Sequence, residues 1–357
     1  MSMTAFQLQG LRLLGYNERE SEFLFLVATH SGYFTNHQFK SFVHTESSSV
    51  SHAFTSKLVD RKHATHRAYR SGERVYHLFA RKVYQAIERE NLRTRKKHEL
   101  EYVKTRLVAL DFIIAYREHR YLATESEKVN FFEKDRGTSR SVLPLKLYRA
   151  RRCAEVTPRY FVDRFPLFLN GTSSALTFTY IDSGTVTLDG FRTHLRAYLG
   201  LFQMLSGFDF IYVAPSSRLF QAAESEFQKV VSSQGLRGKS VSVSEYFRLR
   251  RAWDAQERVA SEGVVLLKKA QSLYTGKHYE ELYEHWRDGT AKDDEMMEPA
   301  QGAPERTRIT FRTVLCGVSL KVFADPHASS SETSREPDVS GSLSQVSEGG
   351  SVEISGS

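Results

Sequence analysis

Residues 48–78 read SSVSHAFTSKLVDRKHATHRAYRSGERVYHL. Val50, Ala53, Phe54 and Leu58 recur at i, i+3, i+4 and i+8, the spacing of one face of a helix. That pattern predicts an inward apolar face. Ser49, Ser51, His52, Thr55 and Ser56 then fall on the outward face, followed by Arg61 and Lys62. Short hydroxyl side chains let a helix come close to bases and phosphates, and neighbouring cations supply attraction. Downstream, two β-compatible runs flank Ser71-Gly72, a hairpin turn signal. Arg67, Arg70 and Arg74 lie on or near that tip, placed to touch a phosphate backbone or a minor groove.

Working upstream, Asn17 and Glu20 have the spacing of a capping box. The run ERESEFLFLVATH (18–30) puts Phe23, Leu24, Leu26 and Val27 on a broad apolar face. Ser31-Gly32 stops that helix, and Tyr33-Phe34 is a short extended piece. Thr35 or Asn36 caps a two-turn helix that buries Phe39, Phe42 and Val43. Three helices followed by a two-stranded ribbon is the order of a winged helix-turn-helix, a unit that reads DNA. The DNA-contacting residues expected from position and charge are Ser49, Ser51, His52, Thr55, Lys57, Arg61, Lys62, Arg67, Arg70 and Arg74. The same shape also occurs in winged folds that bind only protein, so charge has to carry part of the argument.

The charge is unevenly spread. The 357 residues carry a net +8. Residues 1–100 hold 16 Lys and Arg against 9 Asp and Glu, and the segment from Ala324 onward holds one Arg against six acids. A basic body with its excess concentrated around a helix-turn-helix points to double-stranded DNA as partner. No run of about 18 apolar residues appears, so no membrane span is expected. The N-terminus lacks the basic region and cleavage site of a signal peptide. Cys153 and Cys316 are the only cysteines, far apart in sequence. That excludes a cysteine zinc cluster and fits a reducing, cytoplasmic location. Winged helices often work as homodimers, but no heptad seam fixes one here.

The expected fold class is α+β, in five segments. Residues 1–92 form the winged helix, and 93–157 a linker and helical connector. Within the connector, Arg93, Arg95, Lys96 and Lys97 are a second candidate for phosphate contact. Leu107, Leu110, Ile113 and Ile114 mark a buried helix, and Thr124 with Glu127 repeats the capping-box spacing. Residues 158–240 read β-β-α-β-α, an α/β core with mixed strands. Its first strand is RYFVDRFPLFL (159–169), broken at Pro166. In its second strand Leu176, Phe178, Tyr180 and Asp182 share one face. Residues 241–323 are helices and a short β extension, with aromatics at helical spacing between Tyr274 and Trp286. Residues 324–357, rich in Ser, Gly and acids, are expected to be disordered.

No phosphate-binding glycine loop, histidine-rich metal spacing or nucleophile elbow is present. The one constellation with chemistry is Asp163 on the first strand and Asp182 at the end of the second. Two carboxylates on neighbouring strands can hold a Mg²⁺ ion that activates water against a phosphodiester. The alternative is that both are strand-end residues bonding turn amides.

The winged block together with TYIDSGT (179–185) and FRTHLRAY (191–198) resembles the replication-relaxation family of plasmids and integrative elements. That resemblance implies an N-terminal winged helix followed by a domain similar to restriction-endonuclease folds. The family pattern is an acidic residue, any residue, Asp, any residue and Gly-Thr, then a helix with Lys before a Tyr. Asp182, Gly184, Thr185 and Tyr198 keep it. Tyr180 stands where a Glu is expected, and Thr193 or His194 where the Lys would be. Losing that Glu removes a metal ligand, and losing that Lys removes the charge that polarises the attacking water. The resemblance implies a DNA-binding protein of a mobile element, accessory to replication or mobilisation or regulating transcription. Its α/β domain would then be a degenerate nuclease-like module contacting DNA or replication or mobilisation proteins. No cofactor is implied, with Mg²⁺ needed only under the nuclease alternative. A third reading is a protein-binding scaffold using the helices from Ser244 to Trp286.

Overall fold

The computed structural model describes residues 3–69, 72–149, 156–171, 175–231, most of 243–289, and 308–323. It is a mixed α+β structure. Helix α1 (Ala5–Leu13) leads into α2 (Glu18–His30), capped at Asn17 by the expected reciprocal bonds with Glu20. Gly32 ends α2 at φ +78°, and a Cβ there would collide with the Thr94 carbonyl, so only glycine fits. Strand β1 (Tyr33–Thr35) follows, then α3 (Asn36–Val43), capped by Thr35 in a second reciprocal box with Gln38. Helix α4 (Ser48–Asp60) and the hairpin β2 (Ala64–Ala68) and β3 (Arg74–Leu78) complete the unit. The three strands form an antiparallel sheet in the order β1-β3-β2.

Aromatic rings hold these helices together. Phe23 is fully buried and meets Phe34, Phe39, Phe42 and Phe54 with ring centroids 5.1 to 5.8 Å apart. Phe39 and Phe54 stack at 4.1 Å, joining α3 to α4.

One expectation about α4 fails. Its inward face is Ser51, Phe54, Thr55 and Leu58. Val50 is 46% exposed and Ala53 is also exposed. Phe54 and Leu58 belong to both readings, so the rotation of the helix turned on its weaker positions. Ser51 and Thr55 tolerate burial because each hydroxyl donates to a backbone carbonyl one turn back, Ser48 and Ser51 respectively, at 3.0 Å.

After the short α5 (Arg81–Ala86), α6 (Leu100–Ala115) runs through the middle of the molecule. Leu107, Leu110 and Ile113 are fully buried as expected, and Ile114 is half-buried. The segment 93–157 thus contains the buried helix expected of it. On one side α6 packs on α2, α3 and β1, and on the other it reaches a second sheet. Gln38 of α3 donates to the Leu107 carbonyl and to Asp111 of α6, at 2.8 and 2.7 Å. Ser319 donates to the same carboxylate through its hydroxyl and its amide.

That second sheet uses β4 (Arg120–Tyr121), β7 (Leu167–Leu169), β8 (Leu176–Ile181), β9 (Gly207–Ala214) and β10 (Arg308–Leu315), in the order β10-β9-β8-β7-β4. Strands β8, β9 and β10 are parallel, and β7 is antiparallel to both its neighbours. Between β4 and β7 lie the capped helix α7 (Glu125–Asn130) and a separate hairpin of β5 (Leu145–Arg149) and β6 (Val156–Tyr160). Helix α8 (Asp189–Met204) crosses over from β8 to β9, and α9 (Phe220–Val231) follows β9. Period-two alternation splits the strands cleanly. Phe178, Tyr180, Phe208, Phe210 and Tyr212 pack on α8 and α9, whereas Ile181, Ile211 and Val213 share the core of α6.

Beyond α9, the helices Val243–Asp254 and Lys277–Arg287 share their own small core around Phe247 and Tyr283. The run expected to form one or two strands becomes β10 and a short 3-10 turn, Val318–Phe323. Cys153 and the acidic segment 324–357 lie outside the described residues. No helix among the described residues is long and apolar enough to cross a membrane.

Candidate nucleic-acid interface

The rotation of α4 rewrites the expected contact set. Ser51 and Thr55 are 1% and 2% exposed, so neither can reach a base. Ser49, His52, Ala53 and Ser56 are exposed at i, i+3, i+4 and i+7, with Val50 beside them. This contiguous stripe mixes hydroxyls, an imidazole and small apolar groups, the residue types that bond base edges and pack on thymine methyls. Val50 and Ala53 were missed because apolar residues in a sparse pattern read as core. The i, i+3, i+4, i+7 set of Ser51, Phe54, Thr55 and Leu58 was the rival phase in the sequence.

The cations divide into engaged and open. Lys57 Nζ lies 2.7 Å from both carboxylate oxygens of Glu20, tying α4 to the start of α2. Arg61 donates to the Leu14 carbonyl and sits 5.8 Å from the centre of the Tyr16 ring. Both therefore orient the helix first. Lys62, Arg67 and Arg74 are exposed with no carboxylate partner among the described residues. Arg67 stacks on Tyr69 at 5.3 Å, and Tyr69 packs edge-on against Phe323, so the hairpin is braced near its tip. Arg70 lies outside the described residues.

Two histidines are buried in this unit. His63 bonds the Tyr16 hydroxyl through Nδ1, and burial holds it down at about 4, with Lys82 and Arg61 adding to the effect. His30, edge-on to Tyr121, is held down at about 3 by burial and by Arg89, Lys128 and Arg106. Above their ordinary value of 6.5 both rings are neutral in either state, and stability does not change with pH. As pH falls below that value the unfolded chain takes up protons that the folded chain refuses, and stability is lost. Between about pH 6.5 and about pH 4.5 the His30 contribution to that loss is roughly 2 kcal/mol. A His30→Phe variant should show a flatter decline in urea midpoint across that range than the parent chain. An unchanged slope would remove His30 from the account.

The carboxylates of the α/β half are placed differently from expectation. Asp163 is on no strand: β6 ends at Tyr160, and Asp163 sits in the turn before β7. That turn carries Phe161 and Arg164 at φ 50° and 55°, a backbone no strand adopts. The Asp163 carboxylate accepts from His194 Nδ1 at 2.8 Å and from the Tyr198 hydroxyl at 3.1 Å. Burial alone would raise its pKa, but His194, Lys128 and the Phe165 amide outweigh it and the carboxyl is held below its usual range. Asp182 does end β8 on the same face as Tyr180. Its Oδ1 accepts from the amides of Gly184 and Thr185 and from the Thr185 hydroxyl, at 2.8 to 2.9 Å, and its Oδ2 from the Tyr212 hydroxyl.

Tyr180 packs against His194 and Tyr212 with centroids 5.3 and 5.6 Å away. Burial, then Asp182 and Asp163, push its phenol up, so the ring sits within the field of both carboxylates. The oxygens of both aspartates are satisfied by protein donors. Among the described residues no three His, Cys, Asp or Glu side chains converge as metal ligands. The residues present do not fit a Mg²⁺ ion in this arrangement. Comparisons with protein-family models, with curated proteins and with solved structures returned no match for this chain.

Proposed function

We propose that the chain is a DNA-binding protein whose first 92 residues act as a winged helix-turn-helix. Helix α4 enters the major groove, and the β2–β3 hairpin lies against the backbone. The observation that carries this reading is the exposed α4 stripe Ser49, Val50, His52, Ala53 and Ser56, flanked by the open cations Lys62, Arg67 and Arg74. The reading extends to an accessory role in replication or mobilisation of a mobile element, or in regulating its transcription. Supporting it is the order α6-β4-β7-β8-α8-β9: three antiparallel strands, then a helical crossover to a parallel fourth. That succession is compatible with the restriction-endonuclease-like core the resemblance implies, the α7 and β5–β6 segments then lying between its first two strands. With Tyr180 in place of the expected Glu and Thr193 or His194 in place of the expected Lys, this half serves binding rather than cleavage.

The test is duplex binding at about 50 and about 200 mM salt, with and without Mg²⁺. Three phosphate contacts alone weaken binding roughly 40-fold over that range. Salt-sensitive binding that leaves the DNA intact supports the proposal. Strand breaks that appear only with Mg²⁺ would replace it with a nuclease acting through Asp163 and Asp182. Absence of duplex binding at either salt would overturn it.

A further inference from the structure

A cleft of about 1020 Å³ opens between the end of α2, residues 88–94, the start of α6, α7 and the β5–β6 hairpin. Its volume is on the scale of a ligand pocket, so a duplex could only rest across its mouth. Arg89, Arg93, Lys128, Arg140, Arg159 and Arg164 line it, against Glu88, Glu90 and Glu125. Glu125 is already bound to Arg159 at 2.8 Å. Arg93 and Arg164 have no carboxylate partner among the described residues.

These cations crowd one another. Burial lowers the hold of Arg164 on its proton, and Arg106, Arg93 and Arg159 lower it further. Inside the same wall, His30 Nε2 and Arg89 Nη1 are buried with no hydrogen-bond partner. A protein that gathers like charges around a recess has an anion-shaped deficit there. The recess also presents half-buried aromatic rings, Tyr148 beneath Arg93 at 5.9 Å and Tyr160 beneath Arg140 at 5.7 Å, while the Tyr102 ring is already taken by His98 at 4.0 Å and Arg106 at 4.8 Å. Alternating cations and rings match a strand whose phosphates and unstacked bases are both accessible, which a duplex does not offer.

We propose that this cleft seats a short single strand of DNA, its phosphates on Arg93 and Arg164 and its bases against Tyr148 and Tyr160. The inference rests on the DNA-binding reading but uses a different surface, so the two fail separately. A chain with both sites would hold a duplex through α4 and a melted or displaced strand in the cleft.

The probe is a labelled oligothymidylate of about 12 nucleotides, with a hairpin duplex and an acidic peptide of equal charge as comparators. The full chain is tested beside Arg93→Glu and Tyr148→Ala, both at accessible positions, with thermal melts confirming their folding. Arg93→Glu is expected to weaken oligothymidylate binding at least tenfold and Tyr148→Ala about fivefold or more. Duplex binding should stay within about twofold of the parent in both. If neither variant changes oligothymidylate binding, or if the acidic peptide competes as well as the oligonucleotide, the cleft is not a single-strand site. If only the duplex fails to bind, the winged-helix reading falls and this one stands.

Discussion

Replacing Ala53 with Glu should reduce duplex affinity about 100-fold while leaving the melting temperature nearly unchanged. Ala53 is exposed in the middle of α4, with Ser49 and Ser56 one turn away on either side. Glutamate is a good helix former, so the folded chain has little reason to lose stability, and exposed substitutions of this kind stay within about 0.5 kcal/mol. Against a phosphate-lined groove, a carboxylate at that point meets like charge, which costs several kcal/mol. About 2.8 kcal/mol corresponds to a 100-fold change in the dissociation constant. Titration of one duplex with both proteins, beside their thermal melts, reads the two effects separately. Equal affinities would mean that α4 does not face DNA. The two neighbouring hydroxyl positions offer an internal contrast. Thr55→Glu would place a charge at a 2% exposed site and should damage folding first.

The second large effect is on stability. Phe23→Ala should cost about 3 to 5 kcal/mol, the usual loss for a large buried aromatic. Phe23 is in contact with rings from β1, α3 and α4, so no single neighbour can shift to fill the space. Its loss loosens the packing that sets α4 against α2 and α3. Urea unfolding should show a lower midpoint, and duplex binding should fall with it. A loss below about 1 kcal/mol would mean that the aromatic cluster repacks.

The order of helices and strands in residues 5–78 was legible, and for identifiable reasons. Asn17 and Thr35 are caps whose partners stand three residues on, and Ser71-Gly72 sits between two strand-like runs. Those signals are local, and local signals survive in a linear reading. The phase of α4 was not legible, because Ser51 and Thr55 satisfy their hydroxyls on the preceding turn and so behave as core residues. Asp163 was misplaced for a similar reason. RYFVDRFPLFL looks like one interrupted strand, yet the positive φ at Phe161 and Arg164 makes it a strand, a turn and a second strand. The face shared by Leu176, Phe178, Tyr180 and Asp182 was readable because period two is unambiguous in a buried strand. The cleft was not, since its walls come from five separate stretches and only the basic run at Arg93 marked one of them.

The bond from Ser319 to Asp111 has a consequence for how the chain is made. Asp111 lies in the C-terminal half of α6, and its partner emerges from the ribosome 208 residues later. Strand β10, which covers the open edge of β9, arrives in the same late stretch. Until then the growing sheet presents an unpaired parallel edge, and the acceptor on α6 meets only Gln38. The amino-terminal unit can settle early from its own aromatic cluster. The rest must wait, in a state prone to pairing with other chains, until residues 308–319 have been synthesised.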